Sequence, residues 1–258
     1  SGEAKSRSNI ELPGVQEALI KAIHATGKPI VLLVNAGRPL VFKWCAENIP
    51  AIVYTWWLGS EAGNAIADVL SGDYNPSGKL PMSFPRSTGQ VPIYYNHFNT
   101  GRPATSDSNH NYNSSYNDLS IYPKYEFGYG LSYTDFEYSN LRFSSNTMKQ
   151  GDQITVSVTI KNTGKYGGEE IVQLYIRDLV ASVVRPVNEL KDFKKLALKA
   201  GESRELNFVI DTEKLSFFSP DPLDGTQMNW IAEPGDFDIM VGASSKDIRL
   251  KGRISLLY

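Results

Sequence analysis

Gln153-Ile-Thr-Val-Ser-Val-Thr-Ile160 alternates apolar and polar residues without a break. A period of two sends successive side chains to opposite faces, so this stretch predicts a β-strand with one buried and one wet face. The same texture continues outward from it. Asn162-Thr-Gly164 makes a turn, and Ile171-Val-Gln-Leu-Tyr-Ile176 reads as a second strand. Ala200-Gly-Glu202 is another turn, and Glu205-Leu-Asn-Phe-Val-Ile210 alternates after it. Phe237-Asp-Ile-Met-Val241 and residues 248–257 close the series. Five to seven short strands at such spacing, from residue 136 onward, predict an antiparallel β-sandwich.

Upstream of residue 125 the texture changes. Val15, Leu19, Ala22 and Ile23 fall at helical spacing, with Pro13 expected in the first turn, where its missing N–H costs nothing. Gly27 and Pro29 end that helix. Pro29-Ile-Val-Leu-Leu-Val34 is an unbroken apolar run, which predicts a strand buried on both faces. A helix over 40–48, a strand at Ala51-Ile-Val-Tyr54 and a helix over 61–71 follow, with Gly72 after the last. Alternation of this kind predicts a parallel α/β sheet. The strands number only two or three, so further strands are expected upstream of Ser1. Residues 94–124 are dense in Asn, Ser, Asp and Tyr and lack periodicity. A stretch of this length is functional or disordered, and its tyrosines argue against plain disorder.

The bulk numbers narrow the function. The chain has 258 residues, 41% apolar and 21% charged, with a net charge of −2. Nothing there points to nucleic acid or to an anionic membrane surface. No apolar run approaches the ~20 residues of a membrane span. Cys45 is the single cysteine, which excludes an intrachain disulfide. His24, His97 and His110 show no metal-ligand spacing, and no phosphate-cradling glycine loop opens a helix, so neither metal nor cofactor is expected. Ser1-Gly2-Glu3 is neither an initiator Met nor a signal peptide, so the chain is expected to start within a longer gene or after processing.

Several segments, in order, carry a resemblance. Ser1-Gly2-Glu3-Ala4-Lys5-Ser6-Arg7-Ser8 places an Arg a few residues after a Glu. Residues 55–70, from Thr55-Trp56-Trp57 to Val69-Leu70, lead into Gly72-Asp-Tyr-Asn-Pro-Ser-Gly-Lys-Leu-Pro-Met-Ser-Phe-Pro85. Phe127-Gly-Tyr-Gly-Leu-Ser-Tyr-Thr134 follows, then Val187-Asn-Glu-Leu-Lys-Asp-Phe193, Glu233-Pro-Gly235 and Val241-Gly-Ala-Ser244. Together these resemble the C-terminal portion of glycoside hydrolase family 3, and in particular its bacterial periplasmic β-glucosidases. The resemblance implies residues 1–93 as the C-terminal part of the family's α/β sandwich domain, 94–125 as a connecting loop, and 126–258 as a fibronectin type III-like domain. It implies Glu3 as the acid/base of a retaining β-glucosidase, with the nucleophilic Asp on an N-terminal barrel of the same polypeptide. Lys5 stands where relatives often carry an aromatic residue.

A retaining mechanism needs two carboxyls, one attacking the anomeric carbon and one donating and then accepting a proton. On position alone Glu3 reads as a solvated surface residue, and only the resemblance gives it this role. Arg7 and His97 are candidates for substrate contact, with a salt bridge or solvent exposure as the plain reading of Arg7. Trp56 and Trp57 are candidates for a sugar-stacking platform, but their place after a strand reads as packing. Glu61 and Asp68 read as structural, and Asn75-Pro-Ser-Gly78 as a turn. The expected ligand is an oligosaccharide or β-glucoside, the expected location periplasmic or secreted, and a homodimer is left open. The competing reading is a non-catalytic carbohydrate-binding or interaction module, for which Trp230 is the one sandwich tryptophan.

Overall fold

The computed structural model describes residues 4–104, 106–107, 112–219 and 229–258. Glu3 and His110 lie outside the described residues. Two compact units form. One gathers residues up to Tyr74, Met82–Tyr94 and Ala104–Glu126, and the other gathers Asn75–Pro81, Tyr95–Pro103 and Phe127–Tyr258.

The first unit alternates helix and strand: α1 (Gln16–His24), β1 (Val31–Val34), α2 (Lys43–Asn48), β2 (Ala51–Tyr54) and α3 (Ala62–Ser71). In α1, Glu17 in the first turn and Lys21 in the last suit the helix dipole and pair across one turn. Pro13 does not sit in that first turn. It precedes the capping residue Val15, and its carbonyl accepts from the Gln16 N–H at 3.4 Å. Gly27 takes φ 72° behind the helix and Gly72 takes φ 87° behind α3, a left-handed geometry that costs glycine little. β1 and β2 pair in parallel, with Val31 opposite Ala51 and Val34 opposite Tyr54.

Burial in this unit departs from the sequence expectation. Val34 is buried, but Val31 and Leu33 are 50% and 41% exposed, so β1 is not covered on both faces. Leu19 and Ile23 of α1 and its capping residue Val15 are exposed as well. An unbroken apolar run records what the strand can bury, and covering its second face takes another layer.

The second unit is the predicted sandwich. Its elements are β3 (Phe136–Phe143), β4 (Thr147–Met148), β5 (Gln153–Asn162), β6 (Gly168–Asp178), β7 (Glu189–Leu198), β8 (Ser203–Asp211), α4 (Thr212–Leu215), β9 (Phe217–Ser219), β10 (Asn229–Ile231), β11 (Gly235–Gly242) and β12 (Ile248–Leu256). One sheet runs β4-β12-β11-β6-β7 and the other β3-β5-β8, while β9 and β10 form a separate hairpin. β5 buries Ile154, Val156, Val158 and Ile160, the alternate residues that the period of two selects. They meet Val172, Leu174 and Ile176 of β6, Phe208 of β8 and Ile239 of β11 in one core.

β7 is a full strand that the alternation signal misses. It forms the edge of its sheet, and its register against β6 shifts between Leu174 and Tyr175. Lys191, Lys194 and Lys195 along it are the charges by which natural edge strands resist pairing with other chains.

A strap from Asn75 to Leu80 is bound into this second unit. Asn75 accepts from Ser132 Oγ at 2.9 Å and from the Tyr133 N–H at 2.8 Å, and its own amide donates to the Gly167 carbonyl at 2.9 Å. The Leu80 N–H donates to the Tyr129 carbonyl and the Gly128 N–H to the Leu80 carbonyl, both at 2.8 Å. Lys79 reaches the buried Glu170 at 3.2 Å and the Gly130 carbonyl at 3.0 Å, while the Tyr138 hydroxyl donates to Glu170 at 3.0 Å. Asn75-Pro-Ser-Gly78 is thus more than a local turn. The motif fastens the segment after α3 to the sandwich.

Candidate active site

In a parallel sheet, ligands bind beyond the carboxyl ends of the strands. Here β1 and β2 end side by side, so the loops after Val34 and Tyr54 share one edge of the first unit. Thr55 ties them: its N–H and hydroxyl both donate to the Val34 carbonyl, at 2.8 and 3.1 Å. The next residue, Trp56, has φ 54°. A bulky side chain in the left-handed region costs on the order of 1–3 kcal/mol and persists only where its surroundings enforce it. The enforcement is aromatic. The Trp56 ring sits edge-on to Tyr54 at 4.9 Å and to Phe84 at 5.9 Å, and Phe42 and Tyr125 complete the cluster.

That backbone geometry turns Trp57 outward, with 68% of it exposed. Its indole lies on the backbone of Gly37, where any Cβ would fall 2.8 Å from the ring. Packing is therefore the task of Trp56, as the sequence reading has it. Trp57 presents a ring to solvent, against the packing that its place after a strand predicts.

Arg38 follows Gly37. Its carbonyl accepts a hydrogen bond from the Tyr54 hydroxyl. Burial pushes that hydroxyl up to about 12, with a Leu40 backbone hydrogen bond acting the other way, so it stays a donor at neutral pH. The Arg38 guanidinium turns back to the start of the chain. Nη1 donates to Ser6 Oγ at 3.2 Å and to the Arg7 carbonyl at 3.4 Å. Further along, the Val41 N–H donates to the Ile10 carbonyl at 3.0 Å, and Glu11 bridges Val41 in parallel. Residues 6–11 thus run beside residues 38–41.

The sequence-predicted site residues fall as follows. Arg7 lies at this edge with its side chain exposed, and among the described residues that side chain makes no hydrogen bond or ion pair. Glu3 precedes the described residues. His97 belongs to the second unit, exposed, with its carbonyl accepting from the Val187 N–H at 3.0 Å. Among the described residues no cluster of His, Cys, Asp and Glu is placed to hold a metal ion. Gly37 and Arg38 are the residues that sequence reasoning missed. A Gly-Arg-Pro two residues after an apolar strand was the available signal. What the edge offers chemically is a stacking ring, a cation in Arg7 and a braced backbone. Phe42, Phe84 and Tyr125 also line a cavity of about 190 Å³ with Lys43, Glu47 and Arg86.

In the second unit, Trp230 and Phe218 pack edge-on at 5.9 Å on the β9–β10 hairpin and are 65% and 48% exposed. Trp230 opens onto a groove with Lys191, Asp211, Glu213 and Lys214.

Comparison with known proteins closes the question of family. The glycosyl hydrolase family 3 C-terminal domain matches residues 1–133, and a fibronectin type III-like domain matches residues 170–245. A periplasmic β-glucosidase of Salmonella typhimurium is 49% identical over 99% of this chain, which covers 32% of that protein. A β-xylosidase of Formosa agariphila is 43% identical over 97% of the chain, covering 33% of that relative. The crystal structure of a β-glucosidase from Listeria innocua in complex with isofagomine superposes with a TM-score of 0.91 at 43% identity, over 99% of this chain and 35% of that one. The chain spans about a third of the length of the curated relatives it matches. With a parallel α/β unit followed by a β-sandwich, and with both domain matches in that order, the chain belongs to glycoside hydrolase family 3 as a C-terminal portion of such a protein.

Proposed function

We propose that this chain is the C-terminal part of a retaining β-glucosidase that removes terminal non-reducing β-D-glucosyl residues. The observation that carries the reading is the 49% identity, over nearly the whole chain, to a periplasmic β-glucosidase. Glu3 is the acid/base in this reading, and the nucleophilic Asp belongs to an N-terminal barrel of the same polypeptide. The two carboxyls of a retaining enzyme stand about 5–5.5 Å apart. One attacks the anomeric carbon with inversion. The other gives its proton to the leaving oxygen, then takes a proton from the water that attacks with a second inversion. For the first role the carboxyl must be protonated at rest, which burial or a neighbouring negative charge achieves.

Arg7 and His97 are proposed to contact the sugar, and the protein to work in the periplasm or outside the cell. A chain that holds the acid/base without the nucleophile is inactive by itself.

The test is Glu3→Ala in the full-length protein. General acid catalysis is worth about 10²–10⁴-fold. Cellobiose, whose leaving alcohol needs a proton, should lose that much. The first step on a dinitrophenyl glucoside, which leaves without a proton, should lose far less. Azide, a nucleophile that needs no base, should restore turnover and yield the β-glucosyl azide. Equal slowing of all substrates with no azide effect would remove Glu3 from the mechanism.

One observation favours a second reading, a carbohydrate-binding module: the exposed Trp230 and Phe218 pair beside a polar groove. Retention of residues 126–258 on immobilised glycans, lost in Trp230→Ala, would support it.

A further inference from the structure

We infer that the cavity between α2 and the paired segments 84–90 and 120–125 is a binding site for a neutral sugar ring. Three segments of the first unit build it. Phe84 and Tyr125 bridge antiparallel: the Phe84 N–H donates to the Tyr125 carbonyl at 2.8 Å, and the Lys124 N–H to the Phe84 carbonyl at 2.7 Å. The buried Gln90 locks the other end of that pair. Its amide donates to the Ser120 carbonyl at 2.7 Å, and its oxygen accepts from the Arg86 N–H, also at 2.7 Å. The facing wall is α2, where Lys43, Ala46 and Glu47 fall at the spacing that shares one side of a helix. Nothing in this assignment depends on the role of Glu3.

Size and lining select the ligand. An apolar cavity of roughly 150 Å³ holds a benzene. This one, at about 190 Å³, has room for a six-membered ring with substituents. Its floor is apolar, with Phe42 and Phe84 5% and 1% exposed and Tyr125 beside them. Its mouth is charged, framed by Lys43, Glu47, Arg86, Asp118 and Lys124. Among the described residues no two of these five form an ion pair. Arg86 Nε donates to the Tyr122 carbonyl at 2.9 Å, which fixes the guanidinium and leaves its two Nη groups without a hydrogen bond among the described residues. Lys124 lies over the Tyr125 ring, 5.9 Å from its centre. An anion at this mouth would meet Glu47 and Asp118, and a cation would meet three positive groups. A sugar ring suits both signs at once, because a hydroxyl donates to a carboxylate and accepts from a guanidinium or an ammonium. Its C–H face matches the apolar floor, the usual division of labour in a small-molecule pocket.

The experiment titrates the 258-residue chain with D-glucose, followed by calorimetry and saturation-transfer NMR, beside D-glucuronate and D-glucosamine. Glucose should bind with a Kd on the order of 1–10 mM, as expected of so small a ligand. The anionic and cationic analogues should each bind about threefold or more weakly, since each meets like charge at the mouth. Ala46→Leu fills the cavity from α2 with a residue that suits a helix, and should abolish saturable binding. Glu47→Ala and Arg86→Ala each remove a charged hydrogen-bonding group and should weaken binding by about 3–10-fold. Trp230→Ala, in the second unit, should leave it unchanged. Should Arg86→Ala fail to fold, Ala46→Leu and Glu47→Ala decide the matter. No saturable binding up to about 100 mM would overturn the assignment. So would full affinity in Ala46→Leu or loss of affinity in Trp230→Ala, either of which puts the sugar elsewhere. Tighter binding of glucuronate than of glucose would make the ligand an anion and overturn its class.

Discussion

Lys79→Met is the substitution whose cost follows most directly from the geometry. In the native chain the Lys79 ammonium lies 3.2 Å from Glu170, and the two side chains are 11% and 5% exposed. Methionine keeps most of the aliphatic stem and removes the charge. Glu170 is then a buried carboxylate left with the Tyr138 hydroxyl at 3.0 Å and the more distant charge of Arg249. Removing one partner of a buried ion pair typically costs about 3–5 kcal/mol, because the desolvated charge is left uncompensated. Lys79 also donates to the Gly130 carbonyl, so that acceptor goes unpaired too. At a urea slope of about 2–3 kcal/mol/M, such a loss lowers the unfolding midpoint by about 1–2.5 M. The control is the double substitution Lys79→Met with Glu170→Gln. It removes the charge while keeping an oxygen to accept from Tyr138, and should recover more than half of the loss. Urea titrations of the native chain and the two variants, followed by the far-ultraviolet signal of the strands, measure both numbers. If Lys79→Met shifts the midpoint by less than a few tenths molar, the pair is no buried lock. If the double variant is worse than the single one, the damage does not come from an orphaned charge.

Other outcomes follow from the same unit and from the proposed division of catalysis. Gly130→Ala places a Cβ 2.2 Å from the Gly78 carbonyl oxygen, a clash with backbone that no side-chain rotation relieves, so the strap must leave its place. The loss of its three hydrogen bonds to residues 128–130, each worth about 1 kcal/mol, should show as faster proteolysis near Asn75–Leu80 in a timed digest. Burial pushes the Asp238 carboxyl up, but hydrogen bonds and charge from Lys251 and Arg253 outweigh it and hold it below the usual range. A depressed carboxyl gives stability above its unfolded value, near 3.8, that is lost as pH falls through its folded one. Asp238→Asn should therefore cost stability at pH 7 and lose its difference from native in acid melts well below pH 4. The purified 258-residue chain, free of host glycosidases, should show no turnover of a nitrophenyl β-glucoside, and measurable hydrolysis would contradict the proposed placement of the nucleophile.

Legibility of the fold followed the strength of local periodicity. β5 was readable because one face meets the core and the other meets water, so burial prints a period of two on the residues. β7 was not, since its alternation breaks at a register shift and its edge position fills it with lysines. The parallel pair was readable as strands from its apolar runs. The same runs misled on burial, because composition reports compatibility with an interior and carries no count of the layers present. The strap from Asn75 to Leu80 read as a turn for a related reason. Its chemistry lies in bonds that cross 48 to 92 residues of sequence, which no local window contains.

The site shows the limit most sharply in the pair Trp56-Trp57. Adjacent and identical, they look interchangeable in sequence, and their position after a strand assigns both to packing. The backbone separates them. At φ 54° Trp56 is turned into the ring cluster of Tyr54 and Phe84, and the bend at Trp57 sends that indole out over Gly37. The glycine is the third member of the device, since any larger residue there would displace the indole. Arg38 braces the same edge from the loop after β1, with its carbonyl on Tyr54 and its guanidinium on Ser6 and Arg7. Strain of this size at the carboxyl edge of a parallel sheet has to be offset by packing elsewhere, and the aromatic cluster is where that packing lies. The cluster sets the direction of the groups exposed at that edge. A substitution in it, such as Phe84→Leu, would be felt first in where Trp57 and Arg38 point.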